Sequence, residues 1–82
     1  MFKKENFNYF GGYLTYKLNE GERYKFVARF KYVIFQGAFK KFLIKNFTPE
    51  EYFTRLDNDE TPLGILKSKG FITPMEKKRL AS

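Results

Sequence analysis

The side chains best placed to do chemistry in this chain are cations and aromatic rings set in alternation. Between Glu22 and Ile34 the odd positions carry Arg23, Lys25, Val27, Arg29 and Lys31, and the even positions carry Tyr24, Phe26, Ala28, Phe30 and Tyr32. Successive side chains of a strand point to opposite sides of a sheet, so this spacing predicts a strand with one aromatic side and one cationic side. An evenly spaced row of positive charge suits a polyanion, with Lys and Arg on phosphates and neighbouring tyrosines offering ring faces to bases. It is also the pattern of a solvated sheet face, because a basic balance alone gives only non-specific affinity for anions.

Other chemistries are poorly supplied. Histidine and cysteine are both absent, which removes the commonest general base, the commonest transition-metal ligands and the thiolate nucleophile. The serines are Ser68 and Ser82, and neither stands in a strand-to-helix elbow. Acid–base work would have to rest on Glu50, Glu51, Asp57, Asp59 or Glu60. Asp57-Asn58-Asp59-Glu60 resembles the start of a calcium loop but lacks the required Gly and closing Glu. Gly11-Gly12 precedes a strand and not a helix, so it cannot cradle a phosphate, and it reads as a bend or close-packing point in the first strand. The chain therefore reads as non-enzymatic, with no catalytic residues, no cofactor and no metal.

The cationic row needs a partner strand. Phe10 to Leu18 predicts one, with Phe10, Leu14, Tyr16 and Leu18 on one side and Tyr9, Tyr13, Thr15 and Lys17 on the other. A three-residue loop at Asn19-Glu20-Gly21 pairs Tyr16 with Tyr24, Leu14 with Phe26 and Phe10 with Phe30, which puts both apolar faces together. That register sets Lys17 opposite Arg23, Thr15 opposite Lys25, Tyr13 opposite Val27 and Tyr9 opposite Lys31, with Arg29 facing Gly11. Like charges side by side cost stability. The candidate nucleic-acid-binding residues are thus Lys17, Arg23, Lys25, Arg29, Lys31, Tyr9 and Tyr13.

Residues 35–47 fit either of two elements. As a helix, Phe35, Phe39, Phe42, Leu43 and Asn46 share a face opposite Lys40, Lys41 and Lys45. A strand is favoured instead because no capping residue stands near 33–36 and Gln36-Gly37 suits a hairpin. The rest of the chain is punctuated by Thr48-Pro49, Thr61-Pro62 and Thr73-Pro74. Thr accepts from an orphan amide and Pro suits the first helical position, so three short helices are predicted near 49–57, 62–69 and 74–81. Thr48 with Glu51 and Thr73 with Glu76 have capping-box spacing, Phe47 can staple onto Tyr52, and Gly70 can close the middle helix with Phe71 on Leu66. Leu66 to Glu76, with its helix–Gly–apolar–Ile-Thr–x–x–Glu order, resembles the short C-terminal (SHOCT) bacterial helical hairpins over residues 62–82, departing at Lys77. That resemblance implies a small terminal interaction element.

Eighty-two residues suit one domain. Its core must be aromatic, since the chain has eleven Phe, six Tyr and no Trp. Of its net charge of +7, all resides in 1–47, which hold ten Lys/Arg against three Asp/Glu, whereas 48–82 hold six of each. A basic, aromatic sheet half and a neutral, helical half follow. The opening residues lack the apolar run of a signal peptide, and no apolar stretch approaches the roughly 18 residues of a membrane helix, so a soluble cytoplasmic protein is expected. The expected fold is α+β: an antiparallel three-stranded meander followed by three short helices on its aromatic face. The expected core is Phe10, Leu14, Tyr16, Phe26, Phe30, Phe42, Ile44, Phe53, Leu56, Ile65 and Leu66. The expected function is a small binding module for DNA or RNA. The rival is protein interaction or self-association, including an acidic protein partner for the cations.

Overall fold

A computed structural model describes residues 1–81, with side chains to Arg79. After a single 3-10 turn at Lys4–Asn6, the chain forms β1 (Phe7–Phe10), β2 (Tyr13–Tyr16) and β3 (Lys25–Arg29). Four helices follow: α1 (Val33–Asn46), α2 (Pro49–Asp57), α3 (Pro62–Lys67) and α4 (Pro74–Ala81). The strands make one antiparallel sheet in the order β1-β2-β3. The α+β class and the three-stranded meander are as the sequence predicts, while the strand positions and the number of helices are not.

The difference begins at Gly11-Gly12. These residues have φ of 59° and 88°, and two consecutive left-handed residues make the two-residue hairpin turn that matches strand twist. Gly12 is also in close quarters. Its carbonyl accepts from the Phe30 amide at 2.7 Å, and a Cβ there would meet the Phe30 carbonyl at 3.0 Å. What reads as one strand from Phe10 to Leu18 is therefore the end of β1, a turn, and β2. The Asn19-Glu20-Gly21 turn lies inside a longer connection, residues 17–24, where the Glu22 amide donates to the Asn19 carbonyl.

The register changes accordingly. Tyr13 pairs with Arg29, Leu14 with Ala28, Thr15 with Phe26 and Tyr16 with Lys25, with a β-bulge opposite the Leu14–Thr15 step. Val27 is the extra residue. A bulge places two residues of one strand against one of its partner and breaks the alternation, so Val27 and Ala28 are both buried while Phe26 is 46% exposed. Phe26 thus leaves the expected core and Val27 enters it. We expect Val27→Ala to cost about 1.5–3 kcal/mol and Phe26→Ala less than about 1 kcal/mol, as read by urea unfolding. Comparable losses at both positions would contradict this register.

Residues 33–46 are helical, not a strand. Tyr32 occupies the N-cap with extended φ and ψ and makes no side-chain cap bond, so the missing cap is real but does not prevent the helix. Tertiary packing supplies the stability instead: Phe39 and Leu43, one turn apart, are 1% and 0% exposed. The Gln36-Gly37 pair, expected as hairpin punctuation, lies within α1.

The Thr-Pro helix starts form as the local chemistry dictates. Thr48, Thr61 and Thr73 accept at their Oγ1 atoms from the amides of Glu51, Gly64 and Glu76 at 3.2, 3.1 and 3.2 Å. Phe47 lies 6.2 Å from Tyr52, ring centroid to centroid, and the Phe71 amide donates back to the Leu66 carbonyl after Gly70 at φ 91°.

The core lies between the sheet and the helices. Leu14, Tyr16, Phe53, Ile65 and Leu66 are buried as expected, with Phe30, Phe42, Ile44 and Leu56 packed against them in part. Phe10 is the second correction, at 82% exposed. The buried residues not anticipated are Phe2, Val27, Ala28, Phe39, Leu43, Phe47, Tyr52 and Phe71. Phe2 reaches in from the N-terminus to lie edge-on to Tyr16 at 4.8 Å. Tyr52 joins helix to sheet: it is fully buried and its hydroxyl donates to the Val27 carbonyl at 2.7 Å. Burial holds its phenol protonated well above the ordinary range.

Candidate nucleic-acid interface

The open side of the sheet is defined by the observed pairing. Leu14 and Tyr16 point to the core, so their neighbours Tyr13 and Thr15 point away, as do Asn8 and Phe10 of β1 and Phe26 and Arg29 of β3. This face carries three large rings, Phe10, Tyr13 and Phe26, which are 82%, 46% and 46% exposed. Tyr13 and Phe26 lie edge to face with centroids 6.3 Å apart. The Arg29 guanidinium stands 5.6 Å from the Tyr13 ring centroid, near enough for the ring's negative face to hold the cation in place. Among the described residues, no acidic one belongs to the strands of this face.

Of the seven residues expected to share a surface, Tyr13 and Arg29 are brought together as cross-strand partners. Lys31 is exposed just beyond β3, with its ammonium 5.7 Å from the Tyr32 ring. Arg23 is exposed in the 17–24 connection, and Lys17 begins that connection with its ammonium 5.8 Å from the Tyr24 ring. Two expectations are corrected. Lys25 pairs with Tyr16 on the core side, where its ammonium lies 5.3 Å from the Phe53 ring. Tyr9 pairs with Leu14 and is half-buried, its hydroxyl donating to the Phe30 carbonyl at 3.4 Å. The Gly11-Gly12 turn carries Tyr9 onto β1 opposite Leu14, and the bulge at Val27 turns Lys25 to the core side.

Phe10 and Phe26 are the face residues that sequence reasoning missed. The signal for Phe10 was present, since Gly-Gly between aromatic-rich segments is itself a two-residue hairpin signature. Phe26 turns outward because of the bulge, and nothing local to the sequence marks that.

The cations Lys17, Arg29 and Lys31 lie against rings and outside the ion pairs. Among the described residues, the ion pairs are Arg55–Glu60, Lys67–Glu76 and Lys69–Glu51, all within the helical half. Hydrogen bonding to Arg55 holds the Glu60 carboxyl below its usual range, and Lys67 and then Thr73 do the same for Glu76. Such lowered carboxyls remain ionised near neutral pH, the opposite of what a general acid needs. Among the described residues no group of three His, Cys, Asp or Glu side chains is placed to hold a metal ion, and no helix is long and apolar enough to cross a membrane. Comparison of the chain with protein-family models, curated proteins and solved structures returns no match.

Proposed function

We propose that this protein is a non-enzymatic module that binds single-stranded nucleic acid on the open face of its sheet. One observation carries the reading: Phe10, Tyr13 and Phe26 stand exposed on a face whose strands carry no carboxylate, with the Arg29 guanidinium seated against Tyr13. Three large rings gathered on one side of a sheet make a contiguous exposed apolar patch, the kind of surface that marks an interaction site. Flat rings beside cations match the two parts of a single strand. Bases stack on the rings with little regard to sequence, and phosphates are neutralised alongside. Arg29 and Lys31 would take phosphates at the hairpin end of the face, and Arg23 and Lys17 at the end reached by the long connection. A cytoplasmic setting goes with this partner.

The test is a chemical-shift titration with a mixed-sequence single strand of about eight nucleotides, within the usual site size. Shifts are expected at Phe10, Tyr13, Thr15, Phe26 and Arg29. With Lys17, Arg23, Arg29 and Lys31 on phosphates, log affinity should fall with log salt at a slope no steeper than about −2.8. Arg29→Glu should weaken binding and flatten that slope. Absence of shifts at low salt, or shifts confined to the helices, would remove the reading. Equal competition by polyglutamate would reassign the cations to an acidic protein partner.

A further inference from the structure

A second concave surface lies beyond the edge of β3, between the sheet and the N-terminal ends of α3 and α4. It encloses about 500 Å³, within the roughly 300–1,000 Å³ typical of pockets for small organic ligands. Phe30, Phe35, Phe39 and Phe71 form its floor. Phe39 and Phe71 are buried core residues whose rings also contact each other, at 6.0 Å between centroids, so the floor is part of the packed interior. Leu63 and Met75 also line it and are 43% and 64% exposed. Among the described residues the charged ones lining the groove are Arg29 and Lys31, both cationic, and no carboxylate is among them. Neither cation has an ion-pair partner among the described residues. The polar groups that remain are the hydroxyls of Thr61 and Thr73, which already accept helix-capping bonds.

An apolar, aromatic hollow lined by two cations that stand outside the ion pairs has the complement of an amphipathic anion. We propose that this groove binds a free carboxylate with a medium-length alkyl chain, the chain against the phenylalanine floor and the carboxylate between Arg29 and Lys31. Guanidinium is the cation suited to a carboxylate, because its parallel N–H groups match the two oxygens. The site does not depend on the nucleic-acid reading. The two surfaces meet at Phe26 and Arg29, but Leu63 and Met75 belong to the groove alone.

The experiment titrates the intact chain with octanoate, decanoate and dodecanoate below their micellar concentrations, reading amide shifts and calorimetric affinity. Dodecanol and dodecyltrimethylammonium serve as chain-matched neutral and cationic probes. Shifts are expected at Leu63, Phe71 and Met75, with affinity rising about fourfold for each buried methylene. Dodecanoate should bind at least about tenfold more tightly than dodecanol, as a charge-assisted contact requires. Dodecyltrimethylammonium should not bind. Lys31→Glu should erase the preference for dodecanoate, and a Leu63→Gln/Met75→Gln variant should lose chain-length dependence while keeping oligonucleotide binding unchanged. Both variants alter exposed side chains, and unchanged amide spectra away from the groove would show that they are folded. Equal affinity for all three twelve-carbon probes, or shifts confined to the open sheet face, would overturn the proposal whether or not oligonucleotides bind.

Discussion

A variant carrying Phe10→Ala, Tyr13→Ala and Phe26→Ala together should keep its fold and lose nearly all affinity for single strands. Each ring that stacks on a base contributes about 1–3 kcal/mol, so a single replacement should weaken binding by roughly 5–150-fold. The fold should survive because the three side chains are exposed, at 82%, 46% and 46%. They hold the sheet together only through cross-strand contacts of about 0.2–1 kcal/mol each. The informative comparison is with Arg29→Glu. If charge alone held the strand, the triple alanine variant would bind as the parent does, with the same salt slope, and Arg29→Glu alone would weaken it. If the rings stack, the triple variant loses affinity while its remaining binding still depends on salt. Fluorescence anisotropy at two salt concentrations, with thermal melts of each variant, separates these outcomes.

Phe39→Ala should remove a large share of the protein's stability. Phe39 is 1% exposed and touches the rings of Phe30, Tyr52 and Phe71 at centroid distances of 5.1, 6.3 and 6.0 Å. It therefore joins the end of β3, α1, α2 and the α3–α4 turn. Truncating a buried Phe costs about 3–5 kcal/mol, because the neighbouring rings cannot collapse into the space. A chain of 82 residues has roughly 4–12 kcal/mol of stability in total at the usual value per residue. Without disulfides, no covalent constraint offsets the loss. Circular dichroism during urea titration should show the midpoint moved to low denaturant or the native baseline lost. A loss below about 1 kcal/mol would mean that residues 33–46 do not pack as a helix over the sheet.

The two experiments bear on the points where residue pattern and structure part. The alternation from Arg23 to Tyr32 is a genuine strand signal, and β3 lies within it. Its two sides are nevertheless not the expected ones. A one-residue change in register moves every side chain to the other face, and here the register depends on two features distant from the pattern. The Gly11-Gly12 turn moves the hairpin upstream, which frees Phe10 from the core. The bulge at Val27 then reverses the faces within β3, so Phe26 joins Arg29 on the open side while Lys25 turns towards Phe53. Of the residues expected on one face, Tyr13 and Arg29 stay together on the open side, and Phe10 and Phe26 join them while Tyr9 and Lys25 turn to the core side.

α1 fails for a different reason. The phenylalanine and leucine spacing of residues 35–47 suits a helix, and the case against one is the absent cap together with the Gln36-Gly37 pair, which α1 accommodates. A missing cap costs about 1 kcal/mol, less than the burial of a single large side chain returns.

From its residues alone, this chain dictates the helix starts at Thr48, Thr61 and Thr73, the glycine closure at Gly70, an aromatic core, and a basic half set against a neutral one. Each of the local features is an interaction among residues within about five positions, or a composition that folding cannot alter. Tertiary structure alone decides which side of the sheet is covered, that 33–46 coils over it, and that Phe2 and Tyr52 enter the core. Those outcomes depend on contacts between segments far apart in the chain, such as Tyr52 with the Val27 carbonyl, and no local pattern encodes which of two opposite faces will meet them.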